Sequence, residues 1–287
     1  MRPLTALLVL LAPAVAFAQS PAEKAATLKF ISSLYDPATG GYKITPDGKP
    51  SLRACNGAAK AVKYLGGELP DRAKTAAFVM SCYDPATGTF AEPGGKPDVA
   101  VTSVGVIAAV ELGVPKEKFA RAMDYLKANA KTFEDVRIAA AAVEAWGVKD
   151  CPFDFEPWVK AADEVLGQKV TNPRDQGSAA ALRLRLGRDI PQPRRNETLL
   201  LLGLGQHDDG GWSKPGAASE LETTYRVMRA YHLFQEGPKD PAKLRDFLAK
   251  CRNADGGYGV KPGEVSSMSG VYYAVTIGHW LDDLGKK

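Results

Sequence analysis

Nine polar residues stand where the sequence is otherwise apolar or small: Arg53, Asn56, Lys60, Ser103, Arg137, Arg174, Glu222, Arg226 and Ser269. Each lies early in a segment that reads as buried helix, and polar groups so placed must find partners, water or a ligand. Two outcomes are open. The side chains tie neighbouring segments together by hydrogen bonds, or they line a pocket whose arginines and lysine suit an anionic or glycan ligand, with Glu222 as the one carboxylate beside it. Metal chemistry finds less support, because His207, His232 and His279 have no cysteine or carboxylate at ligand spacing, and C-x-x-C is absent. Asp208 and Asp209 read as turn carboxylates, not as an acid/base pair.

The elements that would position these residues repeat. "DPATGGY" at Asp36 to Tyr42 returns as "DPATGTF" at Asp84 to Phe90, and "QHDDGGW" at Gln206 to Trp212 returns as "NADGGYG" at Asn253 to Gly259. Proline followed by glycine in the first pair, and Gly-Gly in the second, oppose continuation of a helix, so each stretch is a stop and reversal, and recurrence near 47 residues marks a repeat architecture. Before each turn the pattern is amphipathic: in "LRDFLAKC", Leu244, Phe247, Leu248 and Cys251 share one face. After it the pattern is apolar nearly all round, as in "MSGVYYAVTIGHWL", which requires enclosure by other helices. The reading is six inner helices near Leu52 to Leu65, Val99 to Leu112, Asp135 to Trp146, Gln176 to Leu186, Glu222 to Phe234 and Ser266 to Leu281, each paired with an outer one. The two middle units lack the Gly-Gly turn. Periodicity alone leaves an open solenoid and a closed ring equally possible.

The 287 residues carry a formal charge of +4, spread along the chain without a basic run, so a nucleic-acid arm or polybasic membrane patch is not expected. The opening "MRPLTALLVLLAPAVAFA" has a basic start, a short apolar run and an A-x-A end. It predicts a signal peptide over 1–18, a single mature domain over 19–287, a periplasmic or extracellular location, and no membrane span after cleavage. The cysteines Cys55, Cys82, Cys151 and Cys251 could form two bridges in an oxidising compartment; buried free thiols are the expected state.

The units "CRNADGGYGVKPGEVSSMSGVYYAV" and "QHDDGGWSKPGAASELETTYRVMRA" resemble the prenyltransferase and squalene-cyclase repeat, in particular β subunits of geranylgeranyl-type protein prenyltransferases. The resemblance implies an all-α fold, an α/α toroid of six helical hairpins around a central cavity. It also implies a zinc ion that binds a substrate thiolate through Asp, Cys and His. Those positions fall here on Glu222, Thr224 and Ser269 or Gly270, a poor set for zinc, so neither metal nor cofactor is expected. The D-x-D-D of terpene cyclases and the C-G-E-Q of thioester toroids are missing. The expectation is an exported toroid that binds a small hydrophobic or mixed ligand, a glycan or a protein partner. The alternatives are a prenyltransferase with a non-standard site and a toroid enzyme acting on carbohydrate.

Overall fold

Short side chains with an oxygen that can accept from a free backbone N–H start most of the helices. Ser51, Asp98, Thr132, Asn172 and Ser267 each accept a hydrogen bond from a backbone N–H three residues on, at 2.7–3.2 Å, and so cap five of the six inner helices. The computed structural model describes residues 19–168 and 172–286, and the predicted leader lies outside them. Twelve α-helices occur among the described residues. The outer set is α1 (Pro21–Ser33), α3 (Arg72–Ser81), α5 (Arg121–Asn129), α7 (Glu156–Leu166), α9 (Arg194–Leu204) and α11 (Pro241–Lys250). The inner set is α2 (Leu52–Leu65), α4 (Val99–Glu111), α6 (Phe133–Trp146), α8 (Pro173–Arg185), α10 (Leu221–Phe234) and α12 (Met268–Leu284). One departure from an all-helical reading is a small antiparallel hairpin, β1 (Tyr83–Asp84) with β2 (Thr89–Phe90), which forms because the DPATGTF turn folds its own flanks together.

The inner helices pack α2 on α4, α4 on α6, α6 on α8, α8 on α10, α10 on α12, and α12 back on α2. The ring is therefore closed, an α/α toroid. Alanines make this close approach possible: Ala54, Ala58, Ala61, Ala139, Ala140, Ala142, Ala179 and Ala180 are all fully buried. Aromatic residues fill the wider layer between inner and outer helices, with Trp212, Tyr42, Phe90 and Phe119 enclosed completely.

The repeated turn now has a mechanical role. Gly40, Gly88, Gly210 and Gly256 sit at φ between 73° and 93°, and a Cβ on any of them would come within 2.6 Å of backbone atoms of the next outer helix. Those atoms belong to Lys74, Arg121, Lys243 and, for the last turn, Ala26 of the first helix. Glycine thus supplies both the left-handed conformation and the missing side chain. The residue two places on, Tyr42, Phe90, Trp212 or Tyr258, drops into the core beneath the turn.

The same bonds recur across the seam where the chain's ends meet. Thr75 donates to the Gly40 carbonyl at 2.9 Å, and Thr27 donates to the Gly256 carbonyl at 2.9 Å. Met268 donates its backbone N–H to the Ile44 carbonyl at 2.8 Å, which joins the last inner helix to the first turn. All four cysteines are free, and the Cys55 sulfur accepts from the Tyr42 N–H. Among the described residues no helix is long and apolar enough to cross a membrane.

Candidate functional site: the central cavity

Because every inner helix is followed by an antiparallel outer one, all six inner helices run the same way round the ring. Their first turns form one rim of a cavity of about 670 Å³ and their last turns form the other end. Of the polar residues singled out from sequence, Arg53, Asn56, Lys60, Arg137, Glu222, Arg226 and Ser269 line this cavity. Two do not. Ser103 is fully buried and donates to the Val99 carbonyl at 2.7 Å, so it satisfies its own helix. Arg174 stands behind the wall, 3.7 Å from both Glu134 and Glu222 and 3.4 Å from Asp175.

The expectation of a single carboxylate is overturned, since Glu111, Glu134, Asp135 and Glu144 join Glu222 on the wall. Glu134 and Glu144 escaped the sequence reading because each lies a turn or more from any repeat motif, and only the ring brings them inward. At the first rim Arg226 bonds Glu134 at 2.8 Å and Glu222 at 2.6 Å, while Arg137 bonds Glu134 at 3.0 Å. Burial would raise the Glu134 carboxyl, but the bond from Arg226 and the charges of Arg137 and Arg226 outweigh it and hold the group at about 2. Glu222 is held low in the same way, against burial, by Arg226. Arg53 makes no ion pair or hydrogen bond among the described residues, and the buried Asn56 Oδ1 beside it has no partner.

Deeper in the ring Lys60 bonds Glu111 at 2.5 Å, and Glu144 lies 3.2 Å from Arg185 and 4.0 Å from Arg229. Between the two charged levels α4 and α6 offer Val104, Ile107, Ile138 and Ala141, and opposite them stand Tyr225, Tyr272 and Tyr273. The Tyr225 and Tyr272 hydroxyls are 2.8 Å apart, and Arg229 Nη2 donates to Tyr225 at 3.4 Å. These tyrosines and the deep arginines were missed by a reading that looked only at first turns.

Of the positions on which the family's metal ligands fall, two are engaged with other groups, Gly270 offers no side chain, and Ser269 lines the cavity. Thr224 Oγ1 accepts from the Trp212 N–H at 3.1 Å and is fully buried, and Glu222 is engaged by Arg226. No group of three or more His, Cys, Asp or Glu able to hold a metal occurs among the described residues. His207 Nδ1 is 3.1 Å from Ser219 Oγ in a turn, and His232 stacks on Trp280. His279 stacks on Tyr64 and, against the sequence reading, does have a carboxylate at helical spacing, Asp283 at 3.2 Å. It lines a second, smaller cavity of about 380 Å³ at the seam, where Gln19 donates to the Tyr258 hydroxyl.

The sequence profile of the prenyltransferase alpha-alpha toroid domain matches residues 2–146 and again residues 120–286. No curated protein matches the chain significantly. Among solved structures, a Candida albicans protein geranylgeranyltransferase-I complexed with GGPP is similar at 12% identity and a TM-score of 0.31, over 87% of this chain. The chain spans 58% of that protein's length. At this score residues cannot be transferred from one structure to the other.

Proposed function

The chain belongs to the prenyltransferase α/α-toroid domain family, and we propose that it uses the central cavity to bind a compact anionic, hydroxyl-bearing ligand such as a sugar acid. Prenyl transfer to a zinc-held thiolate is not its task in this reading. The carrying observation is that Arg53, which makes no ion pair or hydrogen bond among the described residues, lines the cavity together with Arg137 and Arg226. The convergent N-termini of six inner helices add positive potential at the same rim. An isoprenoid tail longer than the apolar band of Val104, Ile107, Ile138 and Ala141 would press on the charged residues at either level, where hydrocarbon strips water from charges without replacing it. The leader expected over 1–18 from the sequence pattern would carry the protein out of the cytosol.

The test uses the mature chain, Gln19 to Lys287, with D-glucuronate, with geranylgeranyl diphosphate, and with zinc followed by removal of excess metal. The reading expects a thermal shift with D-glucuronate that is lost in Arg53→Ala and Arg226→Ala. One retained zinc per chain together with a shift by geranylgeranyl diphosphate would overturn it in favour of a prenyltransferase with a non-standard site.

A further inference from the structure

We propose that the deep end of the central cavity is a second anion subsite, built on Arg185 and Arg229, and that the ligand is an acidic disaccharide with one carboxylate for each charged level. This rests on the cavity being the ligand site, and it sets the length and charge of what binds there.

Arg185 from α8 and Arg229 from α10 line the cavity on neighbouring helices. A guanidinium is a fork of N–H donors with no acceptor of its own, and a buried one needs acceptors around it. Among the described residues Arg185 makes no hydrogen bond, although its side chain is only 6% exposed. Its Nε lies 3.2 Å from Glu144, yet out of line for a hydrogen bond, and is buried without a partner. Arg229 makes one hydrogen bond, from Nη2 to the Tyr225 oxygen at 3.4 Å, and its Nε is likewise buried without a partner. Trp280 covers the face of the Arg229 guanidinium at 4.6 Å and offers no acceptor to the N–H groups in its plane.

Charge at this level is unequal. Lys60, Arg185 and Arg229 stand against Glu111 and Glu144, and Glu111 is also held by Lys63 at 2.9 Å. Glu144 alone serves both arginines, at 3.2 Å and 4.0 Å. Asp283, further along α12, is engaged by His279 and Lys286, each at 3.2 Å. A positive charge is left over on a wall that also carries Ile107, Ile138 and Ala141, where water screens it poorly and an anion is drawn to it.

Spacing decides the size of the ligand. Arg53 and Lys60 are two helical turns apart on α2, as are Glu222 and Arg229 on α10, so the two charged levels are about 10 Å apart at the rise of an α-helix. A single hexuronate meets one level, whereas two linked hexuronate rings bring a carboxylate to each. Between the levels Val104, Ile107, Ile138 and Ala141 offer an apolar surface to the C–H face of a sugar ring. Opposite them Tyr225, Tyr272 and Tyr273 offer hydroxyls to its oxygens.

The test is isothermal titration calorimetry of the mature chain with digalacturonate, with D-galacturonate, and with sebacate, a hydrocarbon diacid. Digalacturonate should bind roughly tenfold more tightly than D-galacturonate, and Arg185→Gln should remove that advantage while leaving D-galacturonate unchanged. Glu144→Gln, which deletes the carboxylate that competes for both arginines, should tighten digalacturonate but not D-galacturonate, and it carries the test if the arginine variant does not fold. Equal affinity for the two sugar acids, or an advantage that neither variant changes, overturns the deep subsite and leaves the rim reading intact. Sebacate bound as tightly as digalacturonate overturns the disaccharide. No binding of either sugar acid overturns the cavity as a sugar-acid site, a result distinct from loss of the deep subsite alone.

Discussion

Replacing Glu134 by Gln removes the carboxylate that Arg137 and Arg226 share while keeping the side chain's shape. The displacement of its carboxyl from an ordinary 4.5 to about 2 corresponds to about 3 kcal/mol of preferential stabilisation of the charged form. Its side chain is 49% exposed, so solvent screening reduces this to about 1–2 kcal/mol. A carboxyl whose folded value lies below its unfolded value adds stability that is fully present above the unfolded value and lost as the pH falls through the folded one. Glu134→Gln should therefore cost about 1–2 kcal/mol at neutral pH and progressively less from 4.5 down to about 2. Urea denaturation of both proteins across that range measures it. An equal deficit at neutral pH and at pH 2 would refute the electrostatic account and point to packing alone.

Two further outcomes concern the ring itself. Gly256→Ala forces a Cβ to within 2.5 Å of the Ala26 carbonyl oxygen at φ 85°, and should cost about 2–4 kcal/mol by urea denaturation. Gly66→Ala, at φ 74° but with nothing within 4 Å, should cost only about 1 kcal/mol, and equal losses would deny the seam its role. Burial pushes the Cys55 and Cys251 thiols up to about 12. A thiol reagent at mildly alkaline pH should leave both untouched in the native protein and count four thiols after unfolding without reductant, whereas fewer than four would reveal a disulfide.

The six inner helices are legible from the sequence within a few residues, since enclosure on all sides demands an apolar surface all round and the repeat period sets the spacing. The hairpin of β1 and β2 is not legible, because two residues on each side of a turn are too short for alternation to show. Seven of the nine polar candidates line the cavity, because the ring closes around the early turns of its inner helices. Ser103 misleads because a serine can satisfy its own helix backbone, and Arg174 because its charge can pair behind the wall.

What the sequence by itself determined is local: glycines where φ is positive, caps where helices begin, and an aromatic beneath each turn. Closure of the ring was decided only in three dimensions, because Gly256 meets Ala26 across almost the whole chain and no periodic pattern encodes that meeting. The charge balance of the cavity was decided there too. Glu134, Glu144, Arg185, Arg226 and Arg229 come from three helices, and against burial Tyr225 is lowered by the charges of Arg229 on its own helix and Arg185 on the neighbouring one, and by its bonds to Tyr272 and Arg229. Electrostatic energy depends on distance through space, and the toroid, not the order of residues, sets those distances.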